Sequence, residues 1–159
     1  MGFGYDVHRL VRGRPLILGG VRFDHPLGLE GHSDADVLSH AIADALLGAA
    51  GEPDIGVLFP NTDASIKGIS SLEILRQVRE KLSARGISIV NIDSTLVAES
   101  PKISPRIGEM KEALGSVLGI TPDRMGIKAT THELLGAFGR SEGMGAMAVA
   151  LVEREDGQA

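Results

Sequence analysis

Hydrophobic positions change their rhythm several times along this chain, and each change marks an element. Residues 3–10 read as a strand, and residues 15–18 and 21–23 read as a hairpin turning at Gly19-Gly20. A glycine-containing loop then runs to His32. The clearest element follows. Ser33 is the expected N-cap of a helix, with Asp34 and Asp36 at the positive end of its dipole. Val37, Leu38, Ala41, Ile42, Ala45, Leu46 and Ala49 recur at helical spacing and form a broad apolar face. A second helix is predicted over 71–85, opened by a capping box of Ser70 and Glu73 and stopped at Gly86. Residues 87–98 read as a strand. A third helix over 105–118 turns Ile107, Met110, Leu114 and Val117 inward and ends at Gly119. Thr121-Pro122 opens a short helical turn, and residues 124–131 and 146–153 read as the last two strands.

That order predicts one domain over residues 1–159, of α/β class in an α+β two-layer form. A mixed four-stranded sheet carries helices on one face, with a small hairpin beside it. The last strand is apolar on both faces: Ala146, Ala148, Ala150 and Val152 point one way, and Met147, Val149 and Leu151 the other. Three helices cover only one side of such a sheet. Either this is a central strand buried within one subunit, or its second face is buried in an oligomer.

Composition narrows the chemistry. With one Tyr, four Phe and no Trp, the core must be aliphatic. A net charge of −5 excludes the clustered basic surface that nucleic acid requires, though not the binding of one small polyanion. No cysteine is present, so disulfides and thiolate metal sites are excluded, and any metal must use His and carboxylate. Residues 1–8 lack the apolar run of a secretory signal, and no stretch reaches the roughly 20 apolar residues of a membrane helix. The expectation is a cytoplasmic, bacterial-type protein without a membrane partner.

Five clusters carry candidate chemistry. Asp6 and His8 share one face of the first strand, about 6–7 Å apart, while Val7 should turn the other way into the core. Asp36, His40 and Asp44 form a polar stripe on the first helix. One carboxylate and two imidazoles suit Zn²⁺ with a vacant fourth position, and Asp36 or Asp44 would hold the far nitrogen of His40. His32-Ser33 at the helix start can receive an anion, although Ser33 would cap the helix in any case. Residues 128–133, Lys-Ala-Thr-Thr-His-Glu, end a strand before a glycine-rich loop. They offer hydroxyls for phosphate and Glu133 for a hard divalent ion, or are simply a polar strand end. Residues 98–103 present backbone groups to a ligand, or merely turn a corner. Each motif alone has an ordinary explanation: a D-x-H is frequent in strands, and a lone helical His is usually a hydrogen-bonded core residue.

Taken in order, however, the motifs resemble one family. Tyr5-Asp6-Val7-His8, Gly31-His32-Ser33-Asp34-Ala35-Asp36-Val37 and His40 are followed by Asp44-Ala45-Leu46-Leu47-Gly48-Ala49 and Asp54-Ile55-Gly56. Phe59-Pro60-Asn61-Thr62-Asp63 and Lys128-Ala129-Thr130-Thr131-His132-Glu133 complete the set. From about residue 2 to 153 the chain resembles the 2-C-methyl-D-erythritol 2,4-cyclodiphosphate synthases. The resemblance implies a substrate that is a cytidine diphosphate ester of methylerythritol 2-phosphate. Its 2-phosphate attacks the β-phosphorus and releases CMP. It implies Zn²⁺ on Asp6, His8 and His40, and Mg²⁺ or Mn²⁺ on Glu133 between the substrate phosphates. His32 and Thr131 match transition-state-stabilising positions, and Ser33 matches a seat for the 2-phosphate. Asp54, Gly56, Phe59, Asn61 and Asp63 would line the methylerythritol pocket. Ala98, Pro101, Lys102, Ile103 and Ser104, with Thr130, would hold cytidine. The family resemblance further implies a homotrimer with active sites shared between subunits.

Three positions depart from the family pattern. Asn61 stands where Asp is expected, and His132 where Thr or Ser is usual. The aromatic of Ala137-Phe138 falls one position late, ahead of Gly139-Arg140. In the family that aromatic and the Arg matched by Arg140 face a central cavity able to hold an isoprenoid diphosphate. Two other readings use the same residues: a zinc phosphohydrolase of a nucleotide diphosphate, and a non-catalytic trimer that binds isoprenoid diphosphates.

Overall fold

A computed structural model describes residues 1–60, 62 and 64–154. Its main sheet has five strands, in the order β4-β1-β7-β5-β6. These are β1 (Gly2–Arg12), β4 (Leu27–Leu29), β5 (Ile87–Val97), β6 (Met125–Thr130) and β7 (Gly143–Arg154). The expected four strands are all present, and β4 corrects the count to five. This Leu-Gly-Leu segment pairs antiparallel with the end of β1, Leu29 opposite Leu10, and is too short to show periodicity. The sheet is mixed because β5 and β6 run parallel while the β1–β7 and β7–β5 pairs are antiparallel.

The hairpin forms as predicted from β2 (Leu16–Leu18) and β3 (Val21–Phe23). Gly19 and Gly20 both take positive φ, 58° and 75°, the geometry of a tight two-residue turn that side chains disfavour. Among the described residues there are five helical segments of α type: α1 (Val37–Ala49), α2 (Ile55–Leu58), α3 (Ser71–Ser83), α4 (Ile107–Leu118) and α5 (Gly136–Gly139). The sequence predicts neither one-turn helix, α2 or α5, and α5 lies in the glycine-rich loop after residue 133.

α1 starts three residues later than its sequence predicts. Ala35 sits at φ 58°, which blocks a helix beginning at Ser33. Asp36 is the N-cap instead, and its side chain accepts from Ser39 N. The same carboxylate accepts from Gly19 N at 2.9 Å, Gly20 N at 2.7 Å and the Ser39 hydroxyl at 2.7 Å, which anchors the hairpin to the helix start. Ser70 caps α3 as expected. Glu73 turns away to Arg76 and Gln77, so the reciprocal half of the capping box is absent.

α1 lies across β1 and β7, with α3 against its outer side and α4 beyond, next to β6. The core between them is aliphatic, with Leu38, Ile42, Leu46, Leu75, Ile92 and Leu96 almost without solvent contact. Among the described residues, only the one-turn α5 touches the opposite face of the sheet, with Phe138 over Gly145. There Phe3, Tyr5 and Val7 are 62%, 51% and 48% exposed, and Met147, Val149 and Leu151 beside them are also exposed. Val7 therefore does not enter the core. The helix-facing parity of β1 is Gly2, Gly4, Asp6 and His8. A Cβ on Gly2 would stand 2.1 Å from the Ala45 carbonyl oxygen, so this close approach requires glycine.

Candidate active site

Asp6 and His8 continue the inward parity of β1 beyond its two glycines. His40 hangs from the first turn of α1 directly above them. Their donor atoms converge: His8 Nε2 to Asp6 Oδ2 is 2.9 Å, His40 Nδ1 to Asp6 Oδ2 is 3.0 Å, and His8 Nε2 to His40 Nδ1 is 3.1 Å. Among the described residues this is the one cluster of His and carboxylate able to hold a metal ion. The fit is good. Tetrahedral Zn²⁺ with bonds of about 2.0–2.1 Å separates its ligand atoms by roughly 3.3 Å, close to the spacing already present.

The far ring nitrogens are held as well. His8 Nδ1 faces the Glu30 carbonyl at 2.6 Å. His40 Nε2 faces the hydroxyls of Ser33 at 3.1 Å and Ser71 at 2.9 Å. This corrects the expectation that Asp36 or Asp44 would do so: Asp36 is committed to the hairpin, and Asp44 accepts from Ile55 N at 2.9 Å. Neither Ser71 nor the Glu30 carbonyl carries a sequence signal for this role. One reads as the start of a helix, and the other is main chain brought in by β4.

Electrostatics follow from this crowding. Burial opposes ionisation of Asp6, but hydrogen bonds from His40 and His8 and their charges outweigh it, holding the carboxyl below the usual range. Burial pushes His8 down. Its hydrogen bond to Asp6, the Asp6 charge and the Glu30 carbonyl outweigh that, and the ring ends above its ordinary value. Burial pushes the Asp44 carboxyl up; the Ile55 N–H opposes it, and the charges of Asp54 and Asp6 add to the rise.

A cavity of about 280 Å³ opens over the cluster. It brings Asp6, His8 and His40 together with His32, Ser33, Asp54, Gly56 and Phe59, as the sequence anticipates. Arg14 fixes the His32-Ser33 wall by donating to the carbonyls of Gly31 (2.7 Å) and Ser33 (2.6 Å). Asp54 caps α2 through Val57 N. The expected pocket residues Asn61 and Asp63 lie outside the described residues.

The remaining candidates stand elsewhere. Thr130 is level with Val7 across three strand spacings, through Val97 and Gly145, or about 14 Å. Its register places it on the open face of the sheet, with Val7 and opposite Asp6. Beyond it the Thr131 hydroxyl donates to Glu133 at 2.6 Å, and Glu99 accepts from His132 N at 2.8 Å. In residues 98–104, Ala98 and Ile103 are buried, Pro101 is half-buried, and Lys102 and Ser104 are exposed. None of these lines the cavity over the cluster. Arg140 pairs with Glu142 at 2.7 Å. Phe138 packs on its own chain, edge-on to His132 at 5.4 Å and against Gly145. Two of the three departures from the family pattern thus touch each other.

An α/β sheet with a His₂Asp cluster under a cavity defines a class, that of globular proteins with a candidate metal site of His and carboxylate. The chain belongs to the YgbB family, whose model matches residues 1–153. Among curated relatives, 2-C-methyl-D-erythritol 2,4-cyclodiphosphate synthase of Synechococcus elongatus is 57% identical over 155 residues, covering 98% of this chain and 97% of the relative. The protein of the same name from Akkermansia muciniphila is 60% identical over 152 residues, covering 95% and 90%. A solved 2C-methyl-D-erythritol-2,4-cyclodiphosphate synthase in its CDP-bound form superposes with TM-score 0.87 at 38% identity, covering 96% of this chain and 99% of that one. The bifunctional IspDF from Campylobacter jejuni gives TM-score 0.93 at 41% identity. It covers 98% of this chain, which spans only 42% of that larger protein.

Proposed function

We propose that this protein converts 4-diphosphocytidyl-2-C-methyl-D-erythritol 2-phosphate into 2-C-methyl-D-erythritol 2,4-cyclodiphosphate and CMP, in the non-mevalonate route to isoprenoid precursors. It is a cyclising phosphorus–oxygen lyase. An oxygen of the substrate's own 2-phosphate bonds to the β-phosphorus, and the bond from that phosphorus to the oxygen of CMP breaks. The observation that carries the reading is the converged Asp6, His8 and His40 donor set at the floor of a cavity, in a chain 57–60% identical to synthases of that name.

Zn²⁺ held by Asp6, His8 and His40 supplies Lewis-acid polarisation of the β-phosphoryl group when bound. Around it the protein's own groups position the reactants. His32 and Ser33 seat the 2-phosphate at the cavity wall. Asp54, Gly56 and Phe59, with Asn61 and Asp63, receive the methylerythritol. Ala98, Pro101, Lys102, Ile103 and Ser104 take the cytidine with Thr130, while Thr131 steadies the diphosphate. Glu133 holds Mg²⁺ or Mn²⁺ for the charge of the leaving group. Arg140 belongs to the substrate-binding set.

The active unit in this proposal is a homotrimer that shares each site between neighbouring subunits. Two observations support it. The open face of the sheet is apolar, and Thr130, which opens the Thr130–Glu133 segment, lies about 14 Å across the sheet from Val7 and on the face opposite Asp6. The setting is the cytoplasm, as suits a phosphorylated substrate.

Phosphorus NMR of the protein with substrate, Mg²⁺ and Zn²⁺, beside a His40→Ala variant, tests the proposal. A cyclic diphosphate and CMP from the parent only is the expected result. CMP with an acyclic bisphosphate identifies water as the nucleophile and replaces this reading with a phosphohydrolase.

A further inference from the structure

A histidine can bind metal through one nitrogen only while its proton sits on the other. For His8 the main chain decides this. The Glu30 carbonyl can only accept, so Nδ1 carries the proton and the Nε2 lone pair faces the cluster. His40 has no such carbonyl. Its Nε2 meets two hydroxyls, and a hydroxyl can donate or accept. On the other side of the ring, the Asp6 carboxylate at 3.0 Å attracts a proton to Nδ1, the atom that must stay bare.

The ambiguity is resolved one residue further out. The Ser71 hydroxyl donates to Asp34 Oδ1, and Ser71 N donates to Oδ2 at 3.0 Å. A carboxylate cannot donate, so the Ser71 hydrogen is committed and its oxygen faces His40 only as an acceptor. Ser33 Oγ already accepts from Ala35 N at 3.0 Å and can accept again. Asp34 is itself fixed by Asp34 N to the Ile69 carbonyl at 3.0 Å. Ser71 is 1% exposed, so its hydroxyl is shielded from bulk solvent.

We propose that Asp34, acting through Ser71, is a positioning residue that keeps the His40 proton on Nε2 and so holds the Nδ1 lone pair on the metal side. This rests on the metal reading of Asp6, His8 and His40. Asp34→Asn reverses the polarity. Its amide, placed at Oδ1, donates to Ser71 Oγ, turns the hydroxyl hydrogen onto His40 Nε2, and meets only the longer contact from Asp36 N at 3.3 Å. Placed at Oδ2 it meets the Ser71 N–H.

Chelator competition for Zn²⁺ on the full-length protein tests the idea. The expected result is a dissociation constant raised about 10–100-fold by Asp34→Asn. Adding Ser71→Ala removes the reversed donor, leaves Ser33 as acceptor, and restores most of the affinity. A merely structural role for Asp34 predicts no recovery, because the double variant only loses another hydroxyl. Unchanged affinity in folded Asp34→Asn, or no recovery in the double variant, overturns the proposal. If Asp34→Asn fails to fold, hydrogen exchange at the His40 Nε2–H of zinc-loaded protein decides. Faster exchange in Ser71→Ala than in the parent supports the relay, and equal exchange overturns it. A parent that binds no zinc defeats the metal reading itself, a separate outcome from any variant-to-parent ratio.

Discussion

Gly4→Ala probes the seam that assembles the cluster. A Cβ at residue 4 would lie 2.0 Å from the Ala41 carbonyl oxygen and 2.7 Å from Ala45 N. A carbon–oxygen contact needs about 3.3 Å, so β1 and α1 must part by roughly 1 Å. Both obstructing atoms are main chain, and no rotamer change relieves them. Overpacking of this kind costs about 1–3 kcal/mol, and rigid neighbours place this site at the upper end. The same movement separates the metal donors. His40 immediately precedes Ala41 on α1, whereas Asp6 and His8 follow Gly4 on β1. A displacement of about 1 Å in a preorganised site is worth on the order of 100-fold. Gly4→Ala should therefore lose about 3 kcal/mol in urea unfolding and bind Zn²⁺ about 100-fold more weakly by chelator competition. Gly108→Ala is the control. Its Cβ meets nothing within 4 Å on α4, and it should gain up to about 1 kcal/mol without touching zinc affinity. If Gly4→Ala matches this control in both assays, the close approach of α1 to β1 does not set the cluster geometry.

Three further outcomes follow from the same structure. Asp6 is held below its ordinary 3.8, so its stabilisation is complete above that value and lost as pH falls through the lowered one. His8 is held above its ordinary 6.5, so its share is complete below 6.5 and lost as pH rises through the raised value. The pair thus favours metal-free protein most between about pH 4 and 6.5, and the gain in Tm on adding zinc should grow from about pH 6 to 8; a pH-independent gain contradicts this. Asp36→Ala removes an N-cap and strands the buried donors Gly19 N, Gly20 N and Ser39, and should cost about 3 kcal/mol in urea unfolding. Val149→Glu on the open face should convert a trimer to monomers by light scattering, and a parent that is already monomeric refutes the proposed assembly.

Much of this was legible in the residues because period and punctuation agreed. The hairpin at Gly19-Gly20, the left-handed Gly119 closing α4, and the apolar face of α1 all fall where local rules put them. Strand parity puts Asp6 and His8 on one face, and helical spacing puts His40 on a polar stripe, but only the family resemblance joins the three into one set, which the structure brings together. Failures have specific causes. β4 is three residues long and exists through its partner, which no periodicity reports. Ser33 and Asp36 are both good caps, and only the left-handed Ala35 between them decides for Asp36. The partners of His40 depend on α3 docking Ser71 against the start of α1, a tertiary contact with no local trace.

Val7 is the most instructive miss. Parity rules assume that the apolar set of a strand turns inward, yet β1 is inverted. Its inward set is Gly2, Gly4, Asp6 and His8, and its outward set is Phe3, Tyr5 and Val7. Two glycines let α1 settle on the strand without side chains between them. Where α1 begins, the space fills with two polar groups and His40 instead of with core. Three polar groups facing inward are costly unless they share a cation or protons among themselves, as the short Asp6, His8 and His40 contacts show they are placed to do. Because a strand has only two faces, dedicating the inner one to this cluster sends the apolar residues outward, where water penalises them. The candidate metal cluster and the apolar outer face are thus one consequence of a single alternation in residues 2–8. In the proposed trimer, a chain that kept the cluster but lost the outer apolar set would have no reason to assemble.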